Sequence, residues 1–150
     1  MFRGTFHHNI DDKGRVAIPA RFREVLAREG SDCIVVTKAF HPKAVCLDVY
    51  SFAEWQALEE RLAKKPAFSP QTITFKQVYL HPAQDLNVDK QGRILIPPDL
   101  RDYAKLKREV VSTGDLEKFQ LWSIEEWNRA SQDAEAETKK PGFFEEFNKL

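Results

Sequence analysis

Two short polar turns carry the side chains best placed for recognition chemistry. Asp11 and Arg15 lie four residues apart in the stretch NIDDKGRVAIP, and Asp89 and Arg93 have the same spacing in NVDKQGRILIP. An arginine that ends a polar turn and opens a strand can reach a phosphate or the O6 and N7 atoms of guanine. A short carboxylate there can accept backbone amide hydrogen bonds or pair with the guanidinium. Each Asp–Arg pair therefore indicates either an anion-binding turn or a turn that the ion pair only braces.

Basic side chains cluster around the first turn although the whole chain is neutral. The chain has 23 Lys and Arg against 23 Asp and Glu, whereas residues 1–23 hold five basic and two acidic groups and residues 131–150 hold three basic and five acidic groups. Lys13 suits a phosphate contact, because a flexible ammonium acts as a point charge. Arg21 is either a second phosphate contact or part of a solvated helix face. Arg3 either joins this basic surface or belongs to a mobile chain end.

The residues typical of enzymes and metal sites form no recognisable pattern. His7 and His8 are adjacent, and His41 and His81 each precede a proline. The sequence contains no glycine-rich phosphate loop and no cluster with metal-ligand spacing, and Cys33 and Cys46 are predicted to be free thiols. We predict no catalytic residue, metal, cofactor or small-molecule ligand. A nucleophile–base pair that meets only in the fold stays open at this point.

The two turns belong to a longer duplication. From Asn9 to Arg23, seven of fifteen residues match those 78 positions later. The similarity continues between CIVVT and EVVST and between LDVYSFAEW and FQLWSIEEW. The offset shortens along the chain, which indicates deletions in loops, where deletions are best tolerated. A duplicated structural unit accounts for this pattern.

Each unit is predicted to fold as strand, helix, hairpin and helix. The runs VAIP and ILIP are short strands that follow Gly14 and Gly92 and end at proline. Apolar residues at Phe22, Val25 and Leu26 favour a helix that stops near Gly30. Serines that precede Glu by three residues predict helix N-termini at Ser51 and Ser123, and Ser69 with Pro70 predicts another. The type of structure over residues 72–80 is ambiguous.

One compact domain is expected from the two units. Either unit alone would bury too little apolar surface to be stable, whereas two copies can cover each other's apolar faces. We predict an α+β fold in which two βαββα repeats are interleaved with pseudo-twofold symmetry around a small barrel-like core. The predicted divisions are repeat 1 (residues 5–54), a helix and linker (55–82), repeat 2 (83–126) and a polar C-terminal tail (127–150). Phe143, Phe144 and Phe147 in the tail pack either on the domain or on a neighbouring subunit.

The paired motif Asp–x–x–x–Arg, strand and proline resembles the MraZ family, whose members carry two copies of the AbrB-type (SpoVT-AbrB) DNA-binding unit. The matching positions are Asp11, Lys13, Gly14, Arg15 and Pro19, then Asp89, Gly92, Arg93 and Pro97, and the opening MFRG and the stretch QGRILIPPDLRDYA are similar too. The resemblance covers about residues 1–127. Gln91 stands where the first motif has Lys13, and the tail after Arg129 matches no motif.

This resemblance implies a non-enzymatic bacterial transcription regulator of the cytoplasm and nucleoid. It implies binding to double-stranded DNA at short direct repeats upstream of a cell-division and cell-wall gene cluster. It also implies ring-shaped homo-oligomers, octamers or dodecamers. No apolar run approaches the ~18 residues of a membrane span, so no membrane association is expected. On the basis of the resemblance Arg15, Lys13, Arg93, Arg21 and Arg3 are predicted DNA contacts, and Asp11, Gly14, Asp89 and Gly92 are predicted to brace the motif.

An AbrB-like antitoxin or protein-interaction module is the alternative. Antitoxins of this type bind a toxin as well as DNA, and they usually append a disordered toxin-binding tail to a single unit. This chain has two units and a short polar tail. The regulator interpretation is therefore favoured.

Overall fold

A computed structural model describes all 150 residues of the chain. The first half contains β1 (Thr5–Asn9), β2 (Arg15–Ala17), α1 (Ala20–Arg28), β3 (Cys33–Phe40), β4 (Val45–Ser51) and α2 (Phe52–Ala63). The second half contains α3 (Pro70–Phe75), which continues as a π-helical turn (Lys76–Leu80), then β5 (Gln84–Asn87), β6 (Arg93–Leu95), α4 (Pro98–Tyr103), β7 (Glu109–Asp115), β8 (Lys118–Ser123), α5 (Ile124–Thr138) and a 3₁₀ turn (Phe143–Phe147). The protein is thus a small mixed α+β domain, as predicted. Each half has one strand more than the predicted βαββα unit, because β1 and β5 precede the two Asp–Arg turns and pair with β7 and β3 of the other half.

Local sequence signals account for the ends of the helices. The Oγ atoms of Ser51, Ser69 and Ser123 each accept a hydrogen bond from the amide three residues later, which satisfies a donor that the first helical turn leaves unpaired. These predicted N-termini are confirmed. Residues 72–80, whose type was ambiguous, are helical. None of the helices is long and apolar enough to cross a bilayer.

The strands of the two halves alternate in space. Six antiparallel strands form one sheet in the order β1-β7-β8-β4-β3-β5, and β2 pairs with β6 in a separate two-stranded ribbon. Strands β1, β3 and β4 of the first half correspond to β5, β7 and β8 of the second half. Exchanging each strand with its counterpart gives the same order read from the other edge of the sheet. Val16 opposite Ile94 and Asp48 opposite Gln120 are the pairs that map onto themselves. The strand order is therefore symmetric about an axis through the centres of the ribbon and the sheet.

One apolar core fills the space between the ribbon and the sheet. It joins inward-facing residues of the ribbon with residues of the central strands and of α1 and α4, among them Val16, Ile94, Leu47, Phe22 and Leu100. Phe2 reaches the same core from the N-terminal segment, where its ring lies 5.4 Å from that of Phe22 and 5.3 Å from that of Phe119. Neither half could form this core from its own residues.

Two helices cover the other face of the sheet. Trp55 of α2 packs with Val35, Tyr50 and Tyr79, whereas α5 covers Val111 and Trp122. Trp55 is buried and Trp127 is partly buried. Residues 127–138 of the predicted tail continue α5, and the following 3₁₀ turn has its main contacts with that helix.

A buried carboxylate ties the helical segment 70–80 to the centre of the sheet. The Asp48 carboxylate accepts hydrogen bonds from the Tyr79 hydroxyl and, at 3.2 Å, from Gln120 Nε2. The Tyr50 and Tyr79 hydroxyl oxygens are 2.7 Å apart, and Thr37 Oγ1 donates to the Tyr79 carbonyl at 2.6 Å. Burial raises the pKa of Asp48, although the hydrogen bonds from Tyr79 and Gln120 partly oppose that shift.

Gly114 of β7 lies under the N-terminal segment, and substituting it will destabilise the domain. A Cβ atom at Gly114 would stand 2.4 Å from the carbonyl carbon of Phe2, so the backbone of this segment must shift and the Phe2 ring loses its present packing in the core. We expect Gly114→Ala to lower the free energy of unfolding by up to about 3–5 kcal/mol, the cost of deleting a buried phenylalanine side chain. Urea denaturation measures this loss. Gly30→Ala is the control, because Gly30 has a positive φ but open space around it. Equal losses in both variants would contradict the steric explanation.

Candidate nucleic-acid interface

The two Asp–Arg turns have the same hydrogen-bond pattern. Asp11 Oδ1 accepts from the amides of Lys13 at 3.0 Å and Arg15 at 2.8 Å, and Asp11 Oδ2 accepts from Arg15 Nε at 2.8 Å. Asp89 accepts from the amides of Gln91 at 2.8 Å and Arg93 at 2.9 Å and from Arg93 Nε at 3.1 Å. In each turn one carboxylate therefore accepts hydrogen bonds from two backbone amides and from the Nε atom of the arginine.

These hydrogen bonds keep both aspartates charged and leave most of each guanidinium free. The pKa of Asp11 is lowered chiefly by the Arg15 amide, and the pKa of Asp89 chiefly by the Arg93 amide. Only the Nε atoms of the two arginines are used, so their Nη donors make no hydrogen bond within the chain. The Nη groups can therefore form a bidentate contact with an external acceptor.

Each turn is packed by an arginine from the other half of the chain. Gly14 and Gly92 have φ angles of +88° and +76°, which favour glycine. The Arg101 guanidinium lies 2.7 Å from where a Cβ atom of Gly14 would be, and that of Arg23 lies 2.6 Å from the same point at Gly92. Sequence reasoning missed this packing. The sequence does contain a feature that indicates it, because in both repeats an arginine follows the glycine by nine residues.

The ribbon presents four side chains outward around the symmetry axis. Arg15 lies opposite Leu95, and Ala17 lies opposite Arg93, whereas the central pair Val16 and Ile94 points into the core. Leu95 is 56% exposed. Sequence reasoning did not single out Leu95, although the alternation in ILIP places it on the side opposite Ile94 and Ile96. The outer face of the ribbon thus consists of two arginines, each opposite an apolar residue: Leu95 faces Arg15, and Ala17 faces Arg93.

The other predicted contacts lie at different distances from this ribbon. Lys13 is exposed at the tip of the first turn. Arg21 is exposed at the start of α1 and lines a shallow groove with Ala17. Arg3 lies at the opposite end of β1 from the Asp11 turn, because the adjacent Phe2 pairs with Leu116 at the far end of β7. The structure therefore brings Arg15, Lys13, Arg93 and Arg21 together and leaves Arg3 apart.

Charge on the two sides of the ribbon is unequal. Asp99 in the second half occupies the position of Arg21, and its carboxylate accepts from Gln84 Nε2 at 3.1 Å. The second turn also has Gln91 in place of Lys13. Because the ribbon is antiparallel, Arg21 lies beside Ala17 at the end that carries Arg93, and Asp99 lies at the end that carries Arg15 and Lys13. The Arg93 end of the ribbon is therefore the more basic one.

One histidine and serine meet in the fold. The Nε2 atom of His8 and the Oγ atom of Ser112 are 2.8 Å apart. Ser112 is only 1% exposed, and burial lowers the pKa of His8. A serine closed off from solvent cannot attack a substrate, so this pair links β1 to β7 and does not form a catalytic site.

The family profile described as "MraZ protein, putative antitoxin-like" matches residues 1–78 and 79–142. The chain belongs to the MraZ family. Proteins named transcriptional regulator MraZ resemble it closely: one from Desulforamulus reducens is 44% identical over 136 residues, 91% of each chain. Another from Marinomonas sp. (strain MWYL1) is 40% identical over 133 residues, 89% of this chain and 87% of the relative. A third from Alkalilimnicola ehrlichii is 37% identical over all 150 residues, 99% of the relative. The MraZ family is not a family of enzymes.

Low pH will destabilise the fold partly through the two turns. An aspartate whose pKa is lowered by folding stabilises the protein above its ordinary value of 3.8 and loses that contribution as the pH falls through the folded value. We expect the double variant Asp11→Asn, Asp89→Asn to lose less unfolding free energy between pH 7 and pH 3 than the unsubstituted chain. Asp48 titrates in the opposite sense, and both proteins retain it.

Denaturant unfolding at the two pH values measures the effect. Asp12→Asn is the control, because the Asp12 carboxylate is exposed and makes no hydrogen bond. If the control also loses less unfolding free energy between pH 7 and pH 3, the Asp–Arg turns have no special role in the acid response.

Proposed function

We propose that the protein is a sequence-specific transcription regulator that binds double-stranded DNA through the β2–β6 ribbon. We further propose that its halves are two tandem AbrB-type repeats interleaved in a barrel-like domain. The symmetric strand order and the identical Asp–Arg turns support the repeat assignment. The name shared by the relatives supports a role in transcription.

The paired arginines on the outer face of the ribbon carry the proposal. A two-stranded ribbon fits the major groove of B-DNA, where arginine reads guanine O6 and N7 with two parallel hydrogen bonds. Asp11 and Asp89 orient the guanidinium groups by holding Nε, so the Nη donors are pre-positioned. Arg15 and Arg93 therefore take the base or phosphate contacts on the two sides of the axis.

The remaining basic residues add contacts to the DNA backbone. Lys13 at the turn tip lies at the Arg15 end of the ribbon, Arg21 at the start of α1 lies at the Arg93 end, and both suit phosphates. Arg3 lies at the other end of β1 from the Asp11 turn, so its proposed contact is with the DNA backbone away from the ribbon. Gly14 and Gly92 keep the turns narrow enough to enter a groove together with the ribbon.

Oligomerisation is part of the proposal. The basic surface of one chain is small, whereas several ribbons on successive repeats gain affinity through effective concentration. We propose a ring-shaped homo-oligomer, an octamer or a dodecamer, that binds short direct repeats in the promoter of a cell-division and cell-wall gene cluster. The protein would then act in the cytoplasm at the nucleoid, without a small-molecule ligand.

Antitoxin action is the second candidate, and the description of the matched family profile gives it some support. Strands of the two halves alternate in one sheet, and the Nη groups of Arg15 and Arg93 make no hydrogen bond within the chain. That arrangement favours a DNA-binding role.

Salt will weaken DNA binding steeply if this mechanism is right. Each phosphate neutralised adds about −0.9 to the slope of log K against log salt concentration. We expect a slope that corresponds to several phosphates for the oligomer on the upstream region of its own operon, measured by mobility shift at graded salt. A slope near zero would exclude multiple phosphate contacts. A scrambled DNA of equal length is the control for sequence specificity, and equal affinity for it would exclude a sequence-specific regulator.

A further inference from the structure

Two apolar surfaces on this chain have no partner within it. The first is a groove between α2 and α3, which we call the α2–α3 groove, with a volume of about 510 Å³. The second is the aromatic tail, residues 141–150, whose Phe144 and Phe147 are 61% and 46% exposed. Neither surface belongs to the β2–β6 ribbon.

The α2–α3 groove is apolar at its base and basic at its rim. Leu58, Leu62 and Phe75 provide apolar walls, and Arg61 and Lys65 lie along the edge. No acidic residue lines the groove: the glutamates of α2 nearest to it in sequence, Glu59 and Glu60, are exposed elsewhere on the helix. Phe68 in the adjoining loop is 93% exposed, and Ile73 of α3 is 52% exposed. The apolar surface therefore extends beyond the groove.

The aromatic tail has the complementary character. Phe143 and Phe144 stack with ring centroids 4.9 Å apart, and the Phe147 ring lies 5.9 Å from that of Phe143. Glu145 and Glu146 stand between these aromatic residues in the same 3₁₀ turn. The tail thus offers a compact aromatic cluster with two carboxylates beside it.

We propose that the aromatic tail of one copy docks into the α2–α3 groove of a second copy. The phenylalanine rings fill the apolar base, and Glu145 and Glu146 pair with Arg61 and Lys65 at the rim. This contact would be a head-to-tail interface within the proposed oligomer, and in that respect the inference rests on the proposed function.

The position of the tail favours a second copy as the source. The tail follows α5, which packs on β7 and β8, whereas α2 packs on β3 and β4 in the other half of the sheet. The 3₁₀ turn has its main contacts with α5 of its own chain. A head-to-tail contact of this kind uses two different surfaces on each copy, so each chain can both give and receive a tail.

The first test removes the aromatic anchors. We expect Phe144→Ser combined with Phe147→Ser to weaken self-association of the full chain about 30-fold, as truncation of aromatic anchors does at interfaces. Sedimentation velocity over a dilution series measures this loss. Phe40→Ser is the matched control, because Phe40 is also 61% exposed but lies at the end of β3. Unchanged assembly in the double variant, or an equal loss in the control, overturns the inference.

A charge exchange tests the rim. Glu145→Lys with Glu146→Lys should weaken assembly, as should Arg61→Glu with Lys65→Glu, and all four substitutions together should restore it. Failure of the combined variant to recover, with its thermal melt intact, overturns the pairing. These outcomes are independent of DNA binding, because tail-dependent assembly can persist when the ribbon fails to bind DNA.

Cysteine crosslinking identifies the donor of the tail. In a Cys33→Ser background, chains with Gln71→Cys mixed with chains with Phe144→Cys should form an interchain disulfide under mild oxidation. Chains with Leu116→Cys, an exposed site outside both surfaces, should not crosslink to Gln71→Cys. An internal disulfide in a single chain that carries both Gln71→Cys and Phe144→Cys, with no interchain product in the mixture, overturns docking between copies.

Discussion

Residues 1–65 expressed alone will not form a stable monomer. In the intact chain β1 pairs with β7, β2 with β6, β3 with β5 and β4 with β8, so all four strands in this fragment lose a partner from the second half. The shared core also loses its residues from β6, α4, β7 and β8. We expect the fragment to be unfolded or to self-associate by exchanging strands with another copy. Far-UV circular dichroism and urea titration, together with sedimentation, measure this result.

A mixture of fragments 1–65 and 66–150 provides the control. The two together contain all strands of the sheet and the ribbon, so mixing should recover the strand signal and a cooperative melt. A monomeric fragment 1–65 with its own cooperative melt would contradict the shared core.

Arg93→Ala will cost more DNA affinity than Arg15→Ala. Both arginines present free Nη donors on the outer face of the ribbon, but Arg93 lies at the end of the ribbon that carries Arg21 and Lys90. Arg15 lies at the end that carries Lys13 but also Asp12 and Asp99. A lost base contact costs about 1–3 kcal/mol per site, and this loss multiplies across the subunits that touch DNA together. Titrations of both variants at one salt concentration measure the difference.

Measurements of stability and a charge control distinguish a contact of Arg15 with DNA from a role in holding its own turn. The Arg15 side chain is 36% exposed, so its removal should leave the melting temperature and the oligomer nearly unchanged. Lys43→Ala removes an exposed cation from the turn between β3 and β4 and should change DNA affinity little. Equal losses for Arg15→Ala and Arg93→Ala would show a symmetric DNA contact. Unchanged binding with a collapsed melting temperature would show that Arg15 only braces its turn.

Features set by neighbouring residues were predictable from the sequence. Ser51, Ser69 and Ser123 cap helices because their Oγ atoms reach an amide only three residues away. The α1 helix and its end near Gly30 follow from the spacing of Phe22 and Leu26. The duplication also predicted that the two halves would share one core, because neither could bury enough apolar surface alone.

Features that depend on distant partners were beyond the same reasoning. No local pattern specifies that β1 lies beside β7, or that Arg23 and Arg101 cross over to pack on the opposite turns. The segment 72–80 has β-branched and aromatic residues but is helical, because Tyr79 packs on the sheet and its hydroxyl donates to the buried Asp48. For the tail, sequence left open whether Phe143, Phe144 and Phe147 pack on their own domain, and the structure leaves the last two exposed.

The pairing of β1 with β7 has a consequence for synthesis in the cell. Thr5 and Thr113, whose hydroxyl groups are 2.9 Å apart, are separated by 108 positions in the chain. At translation rates of about 5–20 residues per second, the first strand waits roughly 5–20 s before its partner has been made. Such non-local pairing gives a high contact order and slow folding. The emerging N-terminal half therefore exposes unpaired strand edges on the ribosome, and neighbouring nascent chains on one messenger can exchange strands before either is complete.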